Sequence, residues 1–174
     1  MRPFIEAVRS SVSEKNWYAA LSTALILPDI CGRLQNPAKL SGVRYAEWFN
    51  THMAIRYSHP DEDGGPHRQF LTGNDCYALR CAYLHEGSDD ILSQSAREAL
   101  QRFQFCVPPG NNTFHCNDRD GVLQLQVDIF CRDLADGAEN WLDIIPPSDP
   151  TIATRMSGLL TIITARDTHV LLLK

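Results

Sequence analysis

Prolines and glycines cut this chain into blocks, and inside most blocks the apolar residues recur at helical spacing. That pattern constrains the fold more than any other feature. It predicts helices packed on one another and leaves little sequence for a sheet. Pro3 suits the first turn of a helix over about Pro3 to Ser11, with Ile5 and Val8 on its buried side. Asn16 is a reasonable N-cap for a second helix, in which Trp17, Ala20, Leu21, Ala24 and Leu25 recur at helical spacing. Pro28 is expected to kink or end it, because proline removes a backbone bond from a helix interior. A third helix is expected from Ser41, anchored by Val43, Trp48 and Met53. The stretch from His59 to Gly73 holds Pro60, Gly64, Gly65 and Pro66, and reads as a loop.

The next helix runs from Asn74 towards Gly87. Thr72 or Asn74 is placed to cap its start, Asp75 suits its first turn, and Gly87 sits where a left-handed terminal residue is wanted. A further helix is expected over Ser93 to Phe103, broken by Pro108-Pro109-Gly110. Thr113 to Asn117 and Val122 to Val127 read as short strands flanking Asp118-Arg119-Asp120-Gly121, a hairpin signature. A last helix is expected over about Asp128 to Leu142, with Ile129, Phe130, Leu134, Ala138 and Trp141 inward. Gly137 should weaken it modestly, and Pro146, Pro147 and Pro150 should stop it. The expected architecture is mainly α with a small β-hairpin. One helical domain covers residues 1–145, including the hairpin near 113–127. A tail over 146–174 is left open between a hairpin and an irregular packing segment.

A chain of 174 residues is expected to form one domain with a substantial core. The net charge of −5 argues against broad, nonspecific nucleic-acid binding, although it leaves room for a small basic site. The start, Met1 to Glu6, has no apolar core of a secretory signal, and no apolar run is long enough to span a bilayer. A cytoplasmic protein with no membrane partner and with reduced thiols is therefore expected. No CxxC pair nucleates a zinc site, and Cys76, Cys81 and Cys131 fall in helical patterns that suit packing. The fragment Asp118-x-Asp120-Gly121 looks like part of a calcium loop but lacks the acidic residue that should close it. A hairpin turn explains it better. Asp61-Glu62-Asp63 beside His59 and His67 reads as solvated loop charge. No metal and no cofactor are expected.

Two residues remain with chemistry to offer. Arg80 carries a planar fork of donors suited to phosphate, and His85 moves protons near neutrality. Together they suit metal-free cleavage of a phosphodiester. Five positions separate them, about 140° around an ideal helix, so they cannot stack on one narrow face. Convergence would require a groove or a dimer seam across the helix end. A chain of this composition yields about one such spacing by chance, so on spacing alone a surface arginine and a helix-terminal histidine is the better reading.

The string Tyr77-Ala-Leu-Arg80-Cys-Ala-Tyr-Leu-His85-Glu86-Gly87 resembles the arginine–x4–6–histidine motif of HEPN-domain proteins. Trp17-Tyr18-Ala19-Ala20-Leu21 through Leu27-Pro28-Asp29-Ile30-Cys31-Gly32 resembles the opening helices of a bacterial subgroup of that family. The resemblance covers the first half of the chain, extends loosely over the hairpin and following helix, and stops at Pro150. It implies an up-and-down helical bundle, commonly a homodimer, and a metal-independent endoribonuclease with roles in toxin–antitoxin and antiviral defence systems. Arg80 and His85 then take the catalytic positions, RNA is the substrate, and an antitoxin protein is a partner to look for. Cys81 departs from the polar residue that often follows the motif arginine. Many HEPN proteins are inert relatives, so a non-catalytic module binding RNA, nucleotide or a partner protein is the alternative.

Overall fold

The computed structural model describes residues 1–59 and 68–162. Among them are six α-helices, one 3-10 turn and five short strands, so the chain is mainly helical with a small sheet. Helix α1 (Arg2–Ser13) has Pro3 in its first turn and buries Ile5, Val8 and Val12. Helix α2 (Trp17–Gln35) is capped by Asn16, whose side chain accepts from the Ala19 N–H. It packs on α1, on α3 (Ser41–His52) and on α5 (Val127–Ser148), which places it at the centre of the bundle. Helix α4 (Gly73–Glu86) lies mainly on α3. A short α6 (Pro150–Met156) closes against α5 and α2.

Helix α2 does not end at Pro28. It continues seven residues beyond it, to Gln35. Leu25, Leu27 and Cys31 are fully buried on either side of the proline. Their burial offsets a proline penalty of about 3 kcal/mol, and most helix stability in proteins comes from such packing. Likewise α5 runs through Pro146 and Pro147 to Ser148. Pro146 is buried there, in a patch with Met1, Pro3, Leu142 and Met156. The helix therefore crosses the boundary expected at residue 145. Two expected anchors also face differently: Val43 is exposed, and Ile129 is only half-buried.

The largest departure lies after α4. The helix expected over Ser93 to Phe103 is replaced by irregular chain and by strand β3 (Arg102–Cys106). The cause is tertiary. The buried Asp75 carboxylate accepts from the backbone N–H groups of Glu98, Ala99 and Leu100, which a helix would have spent internally. Strand β3 pairs in parallel with β5 (Val122–Gln126), Arg102 opposite Val122 and Cys106 opposite Gln126. Strand β4 (Asn117–Arg119) pairs antiparallel on the other side of β5. Between them Asp120 and Gly121 have φ of 54° and 76°, the two positive values of a type I′ hairpin turn. The hairpin is the expected one, with its first strand two to four residues later than the sequence pattern placed it. Elsewhere β1 (Ser58–His59) and β2 (Arg68–Gln69) form a two-stranded ladder within the stretch expected to be loop. Asp61-Glu62-Asp63 and His67 lie outside the described residues, as does the end of the tail from residue 163.

Candidate functional site at the end of helix α4

Helix α4 is held firmly at its start. Thr72 caps it, its Oγ1 accepting from the Asp75 N–H at 3.1 Å. The Asn50 side chain accepts from the Gly73 N–H at 2.8 Å. At the other end Gly87 takes the left-handed conformation, φ 65°, and its N–H returns to the Tyr83 carbonyl at 3.0 Å. This leaves His85 exposed in the last turn.

Arg80 and His85 meet despite their angular separation. Arg80 Nη1 lies 3.1 Å from His85 Nε2. The arginine side chain is long enough to span the last turn, so no unwinding is needed. Guanidinium has only donors, so His85 Nε2 must supply a lone pair in this contact. The tautomer that makes this contact carries its ring proton on Nδ1, an assignment from the hydrogen-bond geometry.

The sequence pattern did not mark Asp29 as a partner of the motif. Its Oδ2 lies 2.8 Å from Arg80 Nε, and both side chains are largely buried, with 14% and 21% exposure. The N–H does not point at the carboxylate, and neither atom has a hydrogen-bond partner. The short distance therefore marks a charge contact and not a directional bond. Ser41 Oγ donates to Asp29 Oδ1 at 3.1 Å. Burial alone would lower the Arg80 pKa, but the Asp29 charge and the Cys81 thiol outweigh it, so Arg80 sits above its ordinary value. Burial pushes the Tyr77 phenol up, reinforced by Cys81 and Asp29. The site is thus a row of Ser41, Asp29, Arg80 and His85, drawn from α3, α2 and α4. Asp29 stands 51 positions before Arg80, and nothing local in the chain announces their meeting. The only signal was its place after Pro28 inside an apolar helix.

Chemically, the row offers a fixed cation with its Nη2 edge unassigned, beside an imidazole with a lone pair. It suits an anionic ligand carrying a transferable proton. A neighbouring groove of about 710 Å³, lined by Trp17, Tyr18, Tyr83, Glu86 and Phe105, includes neither Arg80 nor His85. His115 belongs elsewhere: its Nδ1 accepts from the Gln126 N–H at 3.2 Å, behind the hairpin. Among the described residues, no three His, Cys, Asp or Glu side chains converge on a point that could hold a metal. Nor is any described helix long and apolar enough to cross a membrane. Comparison of the chain with protein-family models, with curated proteins and with solved structures finds no match.

Proposed function

We propose that the chain is a HEPN-like, metal-independent endoribonuclease in which Arg80 and His85 act on RNA. The observation that carries this reading is the 3.1 Å contact between Arg80 Nη1 and His85 Nε2. In the proposed step a substrate phosphate draws the guanidinium onto its oxygens and releases the His85 lone pair. His85 then takes the proton of the ribose 2′-OH. The 2′-oxygen attacks phosphorus, the bond from phosphorus to the 5′-oxygen breaks, the leaving 5′-oxygen takes a proton from water, and a 2′,3′-cyclic phosphate remains. Arg80 offsets the charge that builds on the phosphoryl oxygens. Two copies in a homodimer would double the motif across one cleft. A toxin or defence role, with an antitoxin partner, follows only from the family resemblance.

One observation favours the alternative, an inert HEPN-like module that binds RNA, nucleotide or a partner protein. Asp29 already occupies the Nε edge of Arg80 and neutralises its charge. The experiment is RNA cleavage in EDTA by the wild type and by identically purified His85→Ala, with end-group analysis and the oligomeric state measured alongside. Cleavage by the wild type alone, leaving cyclic-phosphate ends, is the expected result. No cleavage by either folded protein overturns the nuclease and leaves the binding module. Equal cleavage by both removes His85 from the chemistry.

A further inference from the structure

Strand β3 stands at one end of its sheet, in the order β3-β5-β4, so one of its edges faces away from β5. The chain covers the start of that edge. Ile91 N–H donates to the Gln101 carbonyl at 3.0 Å, and Phe103 N–H donates to the Asp89 carbonyl at 2.9 Å. Backbone groups alternate along a strand, so the Phe105 N–H and C=O point to the same side as those of Phe103. Among the described residues none continues the pairing past Phe103. Val107, two residues beyond Phe105, is 57% exposed. An open edge of this kind is a template for another strand.

The same stretch of β3 lines the groove of about 710 Å³ that lies between it, the start of α2 and the end of α4. Phe105 belongs to both edge and groove, and Trp17, Tyr18 and Tyr83 add three more aromatic rings. Tyr18 is 80% exposed, and the Tyr83 hydroxyl donates to its carbonyl at 3.3 Å, which ties α4 to the start of α2. Charge selects the occupant. Glu86 and Asp89 line the groove, and among the described residues no Lys, Arg or His does. The Glu86 carboxylate accepts from the neutral Gln94 amide at 3.0 Å. Asp89 Oδ1 lies 3.7 Å from Arg102 Nε, with both side chains more than half exposed, so that pair is loose. A nucleic-acid strand would bring phosphates to two carboxylates. A second copy, paired edge to edge about a two-fold axis, would bring its own Glu86 and Asp89 to the first. A basic side chain fits instead, laying its aliphatic stem on the rings and carrying its charge to the carboxylates.

We infer that β3 and this groove dock an extended peptide segment of a partner protein, which pairs with the Phe105 backbone and seats an Arg or Lys side chain among the aromatic rings, Glu86 and Asp89. Main-chain pairing supplies affinity and the groove supplies specificity. The inference does not rest on the nuclease reading, since neither Arg80 nor His85 lines the groove.

The test is a ¹H–¹⁵N titration of the full chain with end-blocked pentapeptides Ile-Thr-Xaa-Thr-Ile, in which Xaa is Arg, Lys, Glu or Ser and shares one face with the two Ile. The expected result is saturable binding of the Arg and Lys peptides, about tenfold tighter than the Glu peptide. It should move the Phe105 amide and the Trp17 indole and slow exchange of the Phe105 N–H. An Arg peptide N-methylated along its backbone should not bind. The Glu86→Lys/Asp89→Lys protein, altered at two exposed side chains, should stay folded and prefer the Glu peptide. Binding of no peptide, equal binding of the Arg and Glu peptides, full binding of the N-methylated peptide, or an undiminished preference for Arg in the folded double variant overturns the inference. So does a Phe105 N–H already protected before peptide is added, which assigns the edge to the chain itself or to a second copy. The same shifts with a 2′-O-methyl RNA assign the groove to nucleic acid and overturn it too.

Discussion

Two aspartates meet α4, one at its start and one near its end, and they do opposite things. Asp75 is 1% exposed. Its Oδ1 accepts from the Glu98 N–H at 2.8 Å and from the Ala99 and Leu100 N–H groups, and its Oδ2 accepts from Thr72 Oγ1 at 3.2 Å. Its lone pairs are spent on backbone and cap, so nothing is left over for a ligand. Asp29 also faces α4, but through a charge contact with misaligned geometry, and its Oδ2 stays without a hydrogen bond. A satisfied buried carboxylate organises the backbone around it, whereas Asp29 holds Arg80 by charge alone and leaves one oxygen without a hydrogen bond.

That contrast can be broken by mutation. Asp75→Ala should destabilise the protein by roughly 3 kcal/mol or more, because it strands buried N–H donors and removes part of the α4 cap. The urea midpoint should fall accordingly. Asp29→Ala should cost less, roughly 1–2 kcal/mol, between a screened surface pair and a fully buried one, and the proposed RNA cleavage should weaken because Arg80 loses the contact that positions it. If denaturation ranks Asp29→Ala with Asp75→Ala, the distinction between the two carboxylates is wrong.

The two histidines sharpen the same point. Burial lowers the His115 pKa, partly countered by Asp133 and Asp128. Protonation at Nδ1 would also break the bond from the Gln126 N–H. The unfolded chain therefore binds the proton more readily. The stability His115 contributes is fully present above its unfolded value of about 6.5 and is lost as pH falls from there towards the lowered folded value. Burial shifts His52 the same way. Unfolding free energies measured from pH 7.5 downwards should fall less steeply in His115→Phe than in the wild type; equal slopes would remove His115 from the acid response. The smallest effect belongs to His85→Ala. That side chain is exposed, so its removal should change stability by less than about 0.5 kcal/mol. A larger loss in thermal melting would make His85 structural and would undercut its catalytic role.

Local signals were legible where one or two turns of chain contain their own partners. Asn16 and Thr72 cap their helices, Gly87 terminates α4 in the left-handed region, and Asp120-Gly121 makes the hairpin. Each is decided by a side chain reaching a backbone group a few positions away. Gly137 illustrates the limit. Propensity gives it a modest helix penalty, yet a Cβ there would meet Met53 Sδ, a neighbour 84 positions away that propensity does not see. Arg80 and His85 were legible as residue types, and their contact depended on how a long side chain crosses the end of its helix.

By itself, then, the sequence determined the helical class, the main caps, the hairpin turn and the placing of Arg80 and His85 near the end of α4. Only the tertiary structure decided that Pro28 and Pro146 lie inside helices, because buried neighbours outweigh a local penalty. It alone turned Arg102–Cys106 into a strand parallel to β5, because that pairing joins segments 20 positions apart, Arg102 with Val122. It alone set Asp29 against Arg80, 51 positions apart in the chain. Local rules read partners that the chain keeps close, whereas charge pairing and burial depend on which distant segments the core brings together.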